Sequence, residues 1–230
     1  MAITLYELVG RDDLRFSPYC WRTRFALAHK GLDFDTVPVR FADKQAIAFS
    51  GQERVPVIRD GDRTVADSWA IACYLDDAYP ELPPLFASAR ERAMARFINA
   101  WSDLQVNPSF ILLVVRDVYD NIDQRDRDYF LETREKRFGT TLDALHAARD
   151  ERLPAARAAL APVRTVLADQ PYISGDGPGY ADYILMGTCQ WIRMVSPCPI
   201  IEPDDPVHEW RERMLGLFGG MAANAAAAGP

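Results

Sequence analysis

A chain of 230 residues, 49% hydrophobic and 26% charged, has the make-up of an ordinary water-soluble globular protein. It is long enough for one large domain or two modest ones sharing a core. Its 33 acidic and 26 basic residues give a formal charge of -7 with no dense Lys/Arg stripe, which argues against nucleic acid as a partner. The start, Met1 to Tyr6, lacks the basic-then-apolar order of a signal peptide, and no apolar run approaches the roughly 18 residues of a membrane span. The expected location is the cytoplasm. The cysteines (Cys20, Cys73, Cys189, Cys198) have no zinc-type pairing and the histidines (His29, His146, His208) are scattered, so free thiols and no metal site are expected.

Residues 3–8 alternate and are rich in β-formers, which predicts a strand. After the polar loop 10–13, Ser17-Pro18 supplies a cap residue followed by proline at the first helical position. Trp21, Phe25, Ala28 and Leu32 then recur at spacings of three and four, predicting a helix over 18–30 stopped by Gly31. Residues 33–39 form a second alternating run, and 41–49 a weak helix or loop. A short strand at 55–58, a turn at Asp60-Gly61-Asp62 and an antiparallel return at 63–66 follow. Asp67-Ser68 caps a helix with Trp69, Ile71, Ala72 and Leu75 on its buried side.

The order strand, helix, strand, helix, strand, strand, helix ends at a proline-rich break from Tyr79 to Pro84, read as a linker. Beyond it helices are expected near 88–119, 125–149, 154–169, 180–194 and 206–218. The Ala/Gly-rich end from Gly219 has few large apolar residues and is expected to be loose. The first half, at roughly 80 residues, would have a thin core without a helical half packed against it.

Four features carry a resemblance that covers nearly the whole chain: Ser17-Pro18-Tyr19-Cys20 opening the first helix, Arg54-Val55-Pro56-Val57 at the third strand, Ala66-Asp67-Ser68 before the third helix, and Ala181-Asp182 opening a late helix. Together they resemble the glutathione transferase superfamily. Within it, residues 17–24 followed by Lys30-Gly31, with Arg54-Val55-Pro56-Val57 and Asp67-Ser68-Trp69, resemble the serine-type bacterial β-etherases of lignin breakdown and their fungal relatives. The resemblance implies an α/β thioredoxin-like N-terminal domain (1–80), a linker (81–87) and an all-α helical C-terminal domain (88–230). It also implies glutathione as co-substrate, a small apolar or aromatic second substrate, and a two-fold homodimer.

The residues fit these roles chemically. At a helix N-terminus, unpaired N–H groups and the dipole favour an anion, and a thiol placed there ionises more readily. A hydroxyl hydrogen bond to a charged group is worth roughly 1.5–3 kcal/mol, or roughly one to two pKa units off a thiol. Ser17 is therefore the candidate catalytic donor, although a plain helix cap accounts for Ser-Pro equally well. Family likeness makes Pro56 a cis-proline and has the Val55 backbone pair with the cysteinyl unit of glutathione. It also has Asp67 and Ser68 hold the γ-glutamyl group, where a cap is again compatible. The glycyl carboxylate needs a cation or amide, for which Arg54, Gln52 and Lys44 are candidates. Arg22 could serve the site or pair with a local carboxylate.

Asp182 matches the acidic residue of the family's late-helix capping box, but Gly179 stands where a hydroxyl is usual. Cys20 is expected to be packed, and with Ser17 in place of a first cysteine this motif lacks the attacking thiol that disulfide exchange needs. Tyr6, a rival thiol activator, is read as a core or pocket-wall residue. The second substrate is expected between the sulfur and the long helix after the linker, near Tyr19, Trp101, Gln105, Ser109, Phe110 and Leu113, although interhelical packing explains most of that helix's aromatics. Ligand carriage without turnover and a glutathione-dependent isomerase or dehalogenase are the rival functions.

Overall fold

The computed structural model describes residues 2–227. Four strands, β1 (Ile3–Leu8), β2 (Phe34–Val39), β3 (Val57–Asp60) and β4 (Arg63–Ala66), form one mixed sheet in the order β2-β1-β3-β4. β1 runs parallel to β2 and antiparallel to β3, and β3 is antiparallel to β4. Helices α1 (Pro18–His29) and α2 (Ser68–Ala78) complete this half, with a 3-10 turn over Lys44–Ser50 at the expected weak-helix position. Alternation in β1 turns Ile3, Leu5 and Glu7 inward. The buried Glu7 carboxylate is neutralised by Arg15 at 2.9 Å and Arg24 at 2.7 Å, as a buried charge requires.

The second half is helical: α3 (Ala89–Trp101), α4 (Asn107–Asn121), α5 (Arg127–Phe138), α6 (Leu142–Ala147), α7 (Arg149–Ala158), α8 (Ala161–Leu167), α9 (Tyr180–Val195) and α10 (Pro206–Leu215). α9 is its axis, with every residue but Arg193 buried. It packs against α1, joining the two halves. The proline-rich stretch runs between α2 and α3, and the Asp76 carboxylate pins it by accepting the Leu85 N–H at 2.8 Å while pairing with the buried Lys30 at 2.7 Å.

Several helical expectations need correction. The predicted helix over 88–119 is continuous but carries a π turn at Ser102–Val106, where the Asn107 N–H reaches back five residues to the Ser102 carbonyl. Pro108 explains it, since proline has no N–H for the carbonyl four residues earlier and its ring crowds that turn. The expected helix over 125–149 is broken: Gly139, at φ +67°, ends α5 and Thr141 caps α6. The helix placed at 154–169 starts earlier, at Arg149, and is interrupted between α7 and α8. The tail is not loose as far as Ala225. Ala222 is fully buried and its carbonyl accepts from Gln190 Nε2 at 2.9 Å, while Arg193 binds the Ala223 carbonyl at 3.0 Å. Residues 228–230 lie outside the described residues.

At the start of α9, Asp182 accepts the N–H groups of Gly179, Ile173 and Ser174 at 3.1, 2.7 and 3.1 Å, and Trp210 Nε1 at 2.8 Å. A side chain at Gly179 would require Ser174 to move. A Cβ there would lie 2.6 Å from Ser174 Oγ.

Candidate active site

Ser17 is the N-cap of α1, and its Oγ accepts the Cys20 N–H at 3.3 Å. Pro18 occupies the first helical position, where a missing N–H leaves no bond unmade. Accepting that bond leaves the hydroxyl hydrogen of Ser17 able to donate outward. The residue is 4% exposed and lines a cleft of about 620 Å³ between the sheet half and the helical half. The first turn of α1 rests directly on α9. A Cβ on Gly187 would come within 2.3 Å of the Pro18 carbonyl oxygen.

Tyr19 lines the cleft beside Ser17. Its hydroxyl accepts from Asn107 Nδ2 at 3.4 Å, and Asn107 Oδ1 in turn accepts from Thr188 at 2.8 Å. Burial, reinforced by the nearby Asp103 carboxylate, raises the Tyr19 pKa, so it stays a phenol and a proton donor. Arg22 is not in the cleft. Its buried guanidinium reaches the Ile184 carbonyl, Asn99, Ser102 and Asp103, so of its two expected roles it takes the pairing with a carboxylate.

Val55, Arg54 and Lys44 line the cleft on the sheet side, and the Lys44 ammonium donates to the Glu53 carbonyl at 2.8 Å. The Val55–Pro56 bond is cis. The Asp67 N–H donates to the Pro56 carbonyl at 3.2 Å, which sets Asp67-Ser68 beside Val55-Pro56. Asp67 sits at φ +79°, a conformation that costs a side-chain-bearing residue of order 1–3 kcal/mol. Its carboxylate caps α2 through the N–H groups of Trp69 and Ala70 at 3.0 and 3.1 Å. Ser68 is buried, with its carbonyl accepting from the Tyr180 hydroxyl at 2.7 Å. Neither Asp67 nor Ser68 belongs to the cleft lining. Gln52 is exposed and also lies off it, its N–H donating to Ser50 Oγ at 3.2 Å.

The expected second-substrate wall lies on the wrong face of its helix. Leu113 and Phe110 are buried between helices, Trp101 packs on that same core, Gln105 points to solvent, and Ser109 turns its hydroxyl back to the Val106 carbonyl at 2.8 Å. Asp103, Asn107 and Ile111 face the cleft instead, at spacings of four. The opposite wall comes from segments that sequence reasoning passed over: Phe41 after β2, Phe130, Arg134 and Phe138 on α5, and Trp191 on α9. Tyr6 packs against Phe49, ring centroids 4.9 Å apart, away from this lining.

Two family models account for most of the chain: the glutathione S-transferase N-terminal domain over residues 16–78 and the glutathione S-transferase C-terminal domain over 93–204. The chain belongs to the glutathione S-transferase superfamily. Its enzymatic class is that of a glutathione S-transferase, with glutathione as the co-substrate the family uses. Glutathione S-transferase Z1 of Arabidopsis thaliana is 29% identical over 62% of this chain and 72% of its own. Among solved structures, the glutathione transferase GSTFuA3 of Phanerochaete chrysosporium is 25% identical, with a TM-score of 0.83 over 96% of this chain and 97% of that one. A glutathione S-transferase of Ceriporiopsis subvermispora, solved in complex with glutathione, shares the fold at 24% identity and a TM-score of 0.80, covering 95% of this chain and 97% of its own.

Within this transferase Cys20 is no nucleophile. It is 1% exposed, and burial, followed by the charge of Glu7, pushes its thiol up to about 12. Among the described residues no group of three or more His, Cys, Asp or Glu side chains could hold a metal, and no helix is long and apolar enough to cross a membrane.

Proposed function

We propose that this transferase uses Ser17 to hold glutathione as its thiolate for attack on an aromatic electrophile, and that the reaction is β-aryl ether cleavage. The observation that carries the reading is the position of Ser17: a hydroxyl at a helix N-terminus, lining a cleft with Val55 on one side and aromatic walls on the other. Helix N–H groups and the Ser17 hydroxyl both favour a negative sulfur there. Glutathione lies extended along Val55-Pro56 with its γ-glutamyl end at Asp67-Ser68, which gives the left-handed backbone of Asp67 a purpose. Lys44 and Arg54 take the glycyl carboxylate.

In the proposed step the sulfur forms a bond to the carbon bearing the aryl ether as the carbon–oxygen bond breaks. The oxygen leaves as phenolate and takes a proton to become the free phenol. Tyr19 is placed to assist, because its own hydroxyl accepts from Asn107 and so keeps its hydrogen for the departing oxygen. The test is incubation with glutathione and an α-keto β-aryl ether, followed by mass spectrometry. A glutathione thioether together with released phenol supports the reading. Bound glutathione without product removes the etherase step.

We also propose that the enzyme works in the cytoplasm as a two-fold dimer. Met94, Phe97 and Leu104 are 58, 67 and 70% exposed, an apolar stripe along α3 and the π turn that a second copy would cover.

A further inference from the structure

The cleft is cationic in a chain whose net charge is -7. Arg40, Lys44, Arg54, Arg134 and Arg137 line it, against Glu53 and Asp103. Some of these charges are already matched: Arg40 faces the buried Asp126 at 3.7 Å, and Asp103 is taken by Arg22 at 2.9 Å. Among the described residues, Arg54, Arg134 and Arg137 form no ion pair.

Arg134 is not a solvated surface arginine. It is half-buried, its guanidinium lies 4.5 Å from the centre of the Phe130 ring and 5.4 Å from that of Phe41, Nη1 donates to Thr133 Oγ1 at 2.9 Å, and the Tyr129 phenol stands beside it. Stacking holds the planar fork in place while leaving most of its donors free. Arg137, one turn on, lies over Phe138 at 5.4 Å. Burial, with the like charges of Arg137 and Arg54, pushes the Arg134 pKa down despite the opposing effect of Tyr129.

Glutathione accounts for part of this. Its glycyl carboxylate needs one cation, available from Lys44 or Arg54 on the sheet side, and its other carboxylate lies at α2, outside the cleft. The two arginines of α5 stay unmatched, across the cleft and among aromatic rings. We propose that the second substrate is an aromatic acid, its ring against the half-buried Phe41 and Phe138 and its carboxylate held by Arg134 and Arg137. This rests on the reading of the cleft as the glutathione-transfer site. Arginine forks match a carboxylate through paired N–H donors, which favours that anion over a neutral isostere of the same size.

The test measures binding without turnover. The full-length protein is saturated with S-methylglutathione and titrated calorimetrically with naphthalene-2-carboxylate and, separately, with naphthalene-2-carboxamide. The acid is expected to bind about tenfold or more tighter than the amide. Arg134→Gln and Arg137→Gln should each remove most of that preference and leave S-methylglutathione affinity unchanged. Arg137 is exposed, so its variant keeps the test valid if Arg134→Gln folds poorly. Acid binding no tighter than amide, a preference that survives both substitutions, or a loss confined to S-methylglutathione binding would overturn the proposal. Failure to release phenol from the ether, with acid preference intact, would instead remove only the transfer step.

Discussion

Arg22, on the first helix of the sheet half, donates to the Asp103 carboxylate of the helical half at 2.9 Å, with its own side chain wholly out of solvent. The remaining guanidinium donors reach the Ile184 carbonyl, Asn99 and Ser102. One side chain thus ties α1, α3, the π turn and α9 together directly beneath the cleft. Asp103 is also the residue that the π turn rotates into the cleft wall, so the pair links inter-half packing to the geometry of the site.

Removing one partner from such a network leaves polar groups unpaired in a largely buried site. Arg22→Met should cost about 3 kcal/mol, near the lower end for a buried pair because Asp103 keeps some solvent access. A urea denaturation midpoint checks this. Stability within about 0.5 kcal/mol of the parent would mean that the two halves are held by apolar packing alone.

Ser17→Ala removes a cap hydrogen bond and, on the proposed mechanism, the thiolate donor together. The cap loss should cost about 1 kcal/mol of stability. The pKa of bound glutathione should rise by roughly one to two units. Less thiolate is then present on the acidic side of the new pKa, so kcat/KM should fall most there and recover as pH rises. Titration of the thiolate ultraviolet absorbance in the bound complex reads the shift directly, and an unmoved titration would remove Ser17 from the mechanism.

Cys20 and Cys189 both have thiols pushed up to about 12 by burial. The folded state holds those protons after the unfolded chain has released its own. The stability they contribute is complete below the unfolded thiol pKa of about 8.5. It is lost as pH rises toward the folded value, at ~1.4 kcal/mol per pH unit for each thiol. Urea midpoints measured from pH 8 to 10, with about pH 8.5 as the expected onset, should decline less steeply in Cys20→Ala than in the parent.

The tail beyond Gly220 should matter despite its composition. Truncation there removes the Ala222 carbonyl from the buried Gln190 amide and three carbonyl acceptors from Arg193. A loss of about 1–3 kcal/mol is expected for the orphaned buried amide. Thermal unfolding should shift downward, with S-methylglutathione affinity unchanged.

Phe97→Glu places a charge in the middle of the exposed apolar stripe. If a second copy covers that stripe, sedimentation should show the mass halving with little change in monomer fold. An unchanged dimer would place the interface elsewhere.

The sheet half was readable because its signals are local. Alternation named the strands, Ser17-Pro18 and Asp67-Ser68 named the helix starts, and each element ends close to where its residues predict. The helical half was less so. A period of 3.6 places residues 101, 105 and 109 on one face and 103, 107 and 111 on another, but it does not say which face meets the sheet half. That choice depends on the π turn before Pro108. Arg134 and Phe138 enter the cleft from a helix well downstream, so no short motif joins them to Ser17. The tail docks through backbone carbonyls, which side-chain composition does not reveal.

Gly187 fixes a distance. Because nothing protrudes from α9 at that point, the carbonyl of Pro18 sits where a methyl group would otherwise be. The separation between the turn that carries Ser17 and the central helix of the other half is therefore gauged by the absence of one carbon atom. Even the smallest side chain at 187 would wedge the two halves apart at the floor of the cleft. On the proposed mechanism, nucleophile and electrophile would then lose their reach before either binding surface had changed a single contact residue.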